Sequence, residues 1–257
     1  MGGCGQSRLD FTEVKGIDEK VTESEMISFL KIINALPQKK LPELPPVFAP
    51  PPNWKPTRRL PVSDLVEEER HNLSAHWSVE RLGEQLRRHR SLQRALRWQQ
   101  MNPDRFVGLT LAIGVALSRA TLRDSQDLDD LLETGRKRVE GIKSNDAIFA
   151  QLSEENQHAV LKEAAWITRV DRADRLADVP PENLALIQSR RERLEKIFPR
   201  EFTINPLDNI ADLLEEQGIP FEELPLSGWD DQIEWNRDEA HIGTDQTASR
   251  TDAATDL

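Results

Sequence analysis

The stretch from Phe106 to Leu117 is apolar on nearly every side, and it constrains the fold more than any other feature. Asn102-Pro103 stands just before it. That pair is an N-cap residue followed by a proline at the first helical position, where its missing amide costs nothing. A helix that is hydrophobic all round must be covered all round. Its 12 residues rise only about 18 Å as a helix, against about 30 Å of bilayer hydrocarbon. The segment therefore predicts a buried central helix and not a membrane span. Thr110, Gly114 and Ser118 lie four apart on it, small enough to let neighbours pack closely.

The cover must come from the rest of the chain, which supplies helical patterns in succession. Thr22-Glu23-Ser24-Glu25 forms a capping-box pattern before Met26, Phe29, Leu30, Ile33 and Leu36, and Pro37 ends the run. Such a short helix is unstable alone, so its apolar face must dock. Ser78 caps a segment to Gln100 with Val79, Leu82, Leu86, His89, Leu92 and Leu96 on one stripe, which makes His89 a core histidine. Asp124 caps a helix through Leu128, Leu131, Leu132, Val139 and Ile142. The carboxylates Asp124, Asp127, Asp129 and Asp130 lack the glycine and spacing of a calcium loop, and suit a first helical turn instead. Ser153 opens a long helix through Val170, Pro181 one through Ile197, and Asn205-Pro206 one ending at Gly218. No window alternates as a strand does. The expected fold is all-α, a single irregular helical bundle.

Around the domain, expected at 62–228, the chain changes character. Residues 1–21 read as a tether, 22–36 as the short helix, and 37–61 as a strap holding nine of the 16 prolines. The strap favours extended polyproline II, with Val47, Phe48 and Trp54 placed on the domain surface and Pro42-Glu43-Leu44-Pro45 a formal P-x-x-P match. Residues 229–257 read as a disordered acidic tail. From 230 onward it carries eight acidic and two basic residues, which accounts for more than half of the formal net charge of −11. That balance argues against wholesale nucleic-acid binding.

Chemistry is sparse. The helix after Ser78 carries Arg87, Arg90, Arg94 and Arg97 as a basic stripe flanked by Trp77 and Trp98. Glu84 can pair with Arg87 or Arg88, but the last three arginines have no acidic residue three or four places away. The stripe fits either a solvated face bridged to acidic neighbours or a site for an anionic partner. Glu68 with His71, and Glu155 with His158, have the Glu-x-x-His spacing of helical di-iron sites, against solvated helix ends as the simpler reading. No nucleophile elbow, zinc-protease motif, P-loop or dinucleotide fingerprint occurs. No catalytic set and no cofactor are expected.

The single cysteine lies in Met1-Gly2-Gly3-Cys4-Gly5-Gln6-Ser7. This run resembles the end of a bacterial lipobox, in which small residues precede a cysteine that receives diacylglycerol and becomes the mature N-terminus. A myristoylation signal would need Ser or Thr where Gln6 stands. The basic and apolar regions that precede a lipobox are missing, so the expectation is that the reading frame extends upstream or that the signal has been removed. The resemblance implies lipidation at Cys4, attachment to a membrane in the bacterial envelope, and a domain in the periplasm or at the surface. The expected role is then a non-enzymatic structural or protein-interaction module with an unidentified protein partner. Two alternatives stand beside it. One is a cytoplasmic regulatory module whose arginine stripe binds an anionic partner and whose acidic tail masks it. The other is a di-iron oxidoreductase.

Overall fold

The computed structural model describes residues 14–55, 60–122 and 128–208. Within them the protein is helical and contains no strand. The segment after Asn102 forms helix α5 (Pro103–Arg119), in chain order after α1 (Glu23–Asn34), α2 (Val62–His76), α3 (Val79–Arg87) and α4 (Arg90–Trp98). It starts as its sequence requires, with the Asn102 side chain accepting from the Asp104 amide. Every residue from Arg105 to Ser118 is buried. Helices α1, α3, α9 (Ala165–Ala177), α10 (Pro181–Gln188) and α11 (Arg191–Glu195) surround it. A second layer joins α9 to α6 (Leu128–Ser144), with α2 against both. Short helices α7 (Asp146–Phe149) and α8 (Glu154–Lys162) complete the chain order.

The small residues of α5 are explained by packing. A Cβ on Gly114 would lie 2.7 Å from the ring of Phe202, and the Ser118 hydroxyl donates to the Phe202 carbonyl at 3.2 Å. Phe202 belongs to a single 3₁₀ turn, Arg200–Phe202. From there a chain of rings crosses the core. Phe106 stacks on Phe29, Phe29 on Phe198, Phe198 meets Phe202, Phe202 meets Phe48, and Phe48 meets Trp77 edge-on, each pair 5.5–5.9 Å apart. This ladder docks α1, whose capping box forms in full. The helix buries Met26, Phe29, Leu30, Ile32 and Ile33.

Three long helices expected from the sequence are broken. Residues 78–100 divide into α3 and α4 at His89, which is extended (φ −85°, ψ 100°) and half-buried rather than a core residue. Leu86 and Leu92 are six residues apart, too far for one continuous buried stripe, and the break returns Leu92 and Leu96 to the core. The helix from Ser153 stops at Lys162 and restarts at Ala165. Across the junction, bonds such as Trp166 N–H to Glu163 carbonyl and Ile167 N–H to Ala164 carbonyl tighten the turn. Arg190 (φ −130°, ψ 10°) separates α10 from α11. The cap at Asp124, the helix body beyond Asp208 and the acidic tail lie outside the described residues, although Asn205 does accept from the Leu207 amide at 3.0 Å.

The described end of the segment expected as a tether, residues 14–21, is built into the domain. Val21 is buried and donates to Asn183 Oδ1 at 2.8 Å, while Asn183 donates to the Glu19 carbonyl at 3.0 Å. Gly108 leaves room for the Lys15 backbone, with which any Cβ there would collide. Lys15 and Arg105 converge on Glu25, at 3.3 and 3.0 Å.

The proline-rich strap also packs on the domain. Leu41 donates to the Ile197 carbonyl at 3.2 Å, and Val47, Phe48, Ala49 and Trp54 are buried. Residues 56–59 lie outside the described set. Entry into α2 is fixed from a distance, since Asp146 Oδ1 accepts from the Ser63 amide at 2.8 Å and stands in for a local cap.

Candidate functional site

Two polar features stand out, one closed and one open. The closed one surrounds Arg172, on α9, which is 1% exposed. Its guanidinium donates to the Pro206 carbonyl at 2.6 Å and to the Ala49 carbonyl, and it lies 5.5 Å from the Phe48 ring centre. Burial lowers its pKa to about 10 against the pull of Asp171 and Glu201, so it stays charged at neutral pH. The Val47 amide donates to the Glu201 carboxylate at 3.3 Å. Trp77 Nε1 donates to Asp171 at 3.0 Å, and Arg175 lies 5.6 Å from the Trp77 ring centre. Arg81 lies 2.7 Å from His76 Nδ1. The same nitrogen lies 3.4 Å from the Pro46 carbonyl of the strap, and burial lowers the pKa of the ring. These bonds run to strap backbone and to one another. They hold the strap between α2, α9 and the segment at Phe202.

Sequence reasoning missed this cluster. Its one signal is a charged residue at an apolar phase of α9, Arg172, four places from buried Thr168 and four from buried Leu176.

Burial raises the pKa of Glu201, Asp171 and Glu163, in each case against nearby donors or cations. Burial would raise Glu25 too, but hydrogen bonds from Thr22 and the charge of Lys15 outweigh it, and its pKa is lowered. The signs then oppose. The three raised carboxyls bind protons more tightly folded than unfolded, so their contribution to stability falls as pH rises from about 4 through their folded values. Glu25 contributes stability that is present above its unfolded pKa and lost as pH falls through its lower folded value. Glu201→Gln should therefore reduce the fall of Tm with rising pH that these buried carboxyls contribute above about pH 4. A Glu201→Gln profile parallel to wild type would contradict this.

The open feature is α4. It buries Leu92, Ala95 and Leu96 and turns Arg90, Arg94, Arg97 and Trp98 to solvent, at i, i+4, i+7 and i+8. Between Gln85 and Pro103 the chain has five arginines, Arg87 to Arg97, and no carboxylate. Among the described residues Arg88, Arg90, Arg94 and Arg97 form no ion pair, and Arg97 Nε donates only to the Gln93 carbonyl at 3.4 Å. Arg87 does not belong to this face. It is on α3 and pairs with Asp104 at the start of α5, so the expected four-arginine stripe is a three-arginine face beside a separate ion pair. Trp98 is 80% exposed, the most exposed of the large apolar side chains among the described residues.

The backbone that carries Trp98 is fixed at the end of α4. Met101 N–H reaches the Leu96 carbonyl and Gln100 N–H the Arg97 carbonyl, which is a complete Schellman closure. Gln100 occupies the left-handed position with φ 51°, where glycine is usual. A Gln100→Gly substitution should stabilise the protein by about 0.5–1 kcal/mol, the left-handed strain relieved less the entropy glycine adds to the unfolded chain. Denaturant unfolding measures this, and a destabilised variant would refute the assignment of strain.

Glu68, His71, Glu155 and His158 are all exposed. The described residues contain no group of three or more His, Cys, Asp or Glu side chains placed to hold a metal ion. Glu68 lies on α2 and His158 on α8, and the structure does not bring the two Glu-x-x-His pairs into one site. Cys4 lies outside the described residues. No described helix is long and apolar enough to cross a membrane. Comparison of the chain with protein-family models, with curated proteins and with solved structures finds no match.

Proposed function

We propose that this chain is a non-enzymatic interaction module, held at a bacterial membrane by a lipid on Cys4 and presenting the α4 face to an anionic partner. The observation that carries the reading is that face: Arg90, Arg94 and Arg97 without ion pairs among the described residues, in a chain of net charge −11. Unpaired like charges on one helix are not favourable by themselves, and an external anion relieves them. The exposed ring of Trp98 beside them adds an amphipathic anchor. Most described buried ionisable groups, by contrast, hold segments of the chain together, as Arg172 and Glu25 do.

Expressed from its own locus, the wild-type protein should sediment with membranes, resist a high-salt wash and dissolve in detergent. Cys4→Ala should make it extractable by salt. Soluble wild type, or identical fractionation of the two, would overturn the lipid-anchored reading.

A further inference from the structure

We propose that the α4 face docks flat on the headgroups of an anionic phospholipid bilayer, an inference that rests on the membrane-tethered reading and names the anion. Three observations on this chain favour a lipid surface. The first is charge: Arg90, Arg94 and Arg97 project from one side of a helix whose flanks, from Gln85 to Pro103, contain no carboxylate to repel phosphate. All of the cations are arginines, whose planar fork suits phosphate oxygens.

The second is the kind of apolar group present. A protein interface has a core of several desolvated side chains around its anchors. The α4 face has one, Trp98, because Leu92, Ala95 and Leu96 face inward. The other exposed large apolar side chains among the described residues, Val14, Ile27 and Leu60, belong to other segments. A single indole beside cations matches the headgroup level of a bilayer, where one end of the ring is apolar and the other wet.

The third is position. The N-terminal segment enters the domain at Lys15, whose backbone lies against Gly108 and whose ammonium joins Glu25 and Arg105 at the N-terminal end of α5. The same end of α5 follows α4 directly, with only Gln99 to Asn102 between Trp98 and Pro103. Cys4 stands 11 residues before Lys15, a span of at most about 40 Å when fully extended. The described part of the N-terminal segment thus meets the domain at the end that carries Trp98, and a lipid at Cys4 would be tethered within that reach of it. One acyl anchor and one basic face are the two signals that stable attachment requires.

The test uses the full chain without lipid, so that its result does not depend on Cys4. Sedimentation with phosphatidylcholine vesicles is compared with and without phosphatidylglycerol, at low and high salt. Wild type should bind only the phosphatidylglycerol vesicles and be released by salt. Arg90→Gln, Arg94→Gln and Arg97→Gln combined should weaken binding about a hundred-fold, near five-fold per charge. Trp98→Ser should weaken it several-fold with the salt dependence retained. All of these positions are exposed, and an unchanged Tm checks that the fold is intact. Equal binding to neutral vesicles, or none to anionic ones, would overturn the proposal. Salt-sensitive capture of poly-glutamate without vesicle binding would overturn the lipid assignment while leaving the cationic face a site for an acidic protein. Failure of the anchor reading would show separately, in the fractionation of Cys4→Ala.

Discussion

Replacing Arg172 with alanine should destabilise the fold by about 3–5 kcal/mol, the range for removing one partner from a buried ionic network. Three losses combine. The carbonyls of Ala49 and Pro206 lose a charged donor inside the protein. Asp171 and Glu201, already raised by burial, lose the cation that offsets them. The Phe48 ring loses the guanidinium beside it. Arg172→Met, which fills the volume but not the bonds, should recover the packing part only. The expected signature is local as well as global, because amides of residues 41–49 should exchange faster than those of α5. A fully stable Arg172→Ala protein with a protected strap would show that the prolines hold the strap unaided.

The second large effect is at Glu25. This carboxylate is 6% exposed, closes the α1 capping box, and receives both Arg105 and Lys15. Glu25→Ala removes the cap and the charge together and should cost about 3 kcal/mol. Glu25→Gln keeps an oxygen for the Thr22 amide and should cost less. The loss should also free the segment around Lys15 and Val21, which proteolysis near those residues would report. If Glu25→Ala cost no more than an exposed cap, about 1 kcal/mol, the N-terminal segment would be held by Val21 and Asn183 alone.

These sites show how far the sequence could be read. Caps were legible because their chemistry closes within four residues. Thr22 with Glu25, Ser78, Asn102 and Ser153 all accept the expected amides. The central position of α5 followed from apolarity on all sides. The breaks at His89, between Lys162 and Ala165, and at Arg190 carry no proline or glycine, and tertiary packing sets them. The strap had the right residues for an extended path, but the side on which it lies is chosen by Arg172, 123 residues away from Ala49. The α4 face was legible through Arg90, Arg94 and Arg97, which share one helix. Arg87 was not separable from them, because its partner Asp104 lies across a helix break and a turn.

In the proposed function, a lipid at Cys4 acts together with a cationic face near the point where the N-terminal segment meets the domain. The most direct test is mass spectrometry of the N-terminal peptide from protein isolated with its membrane. A peptide that begins at Cys4 and carries a thioether-linked diacylglycerol is expected. An N-terminal peptide that retains Met1 with an unmodified Cys4 thiol would contradict it.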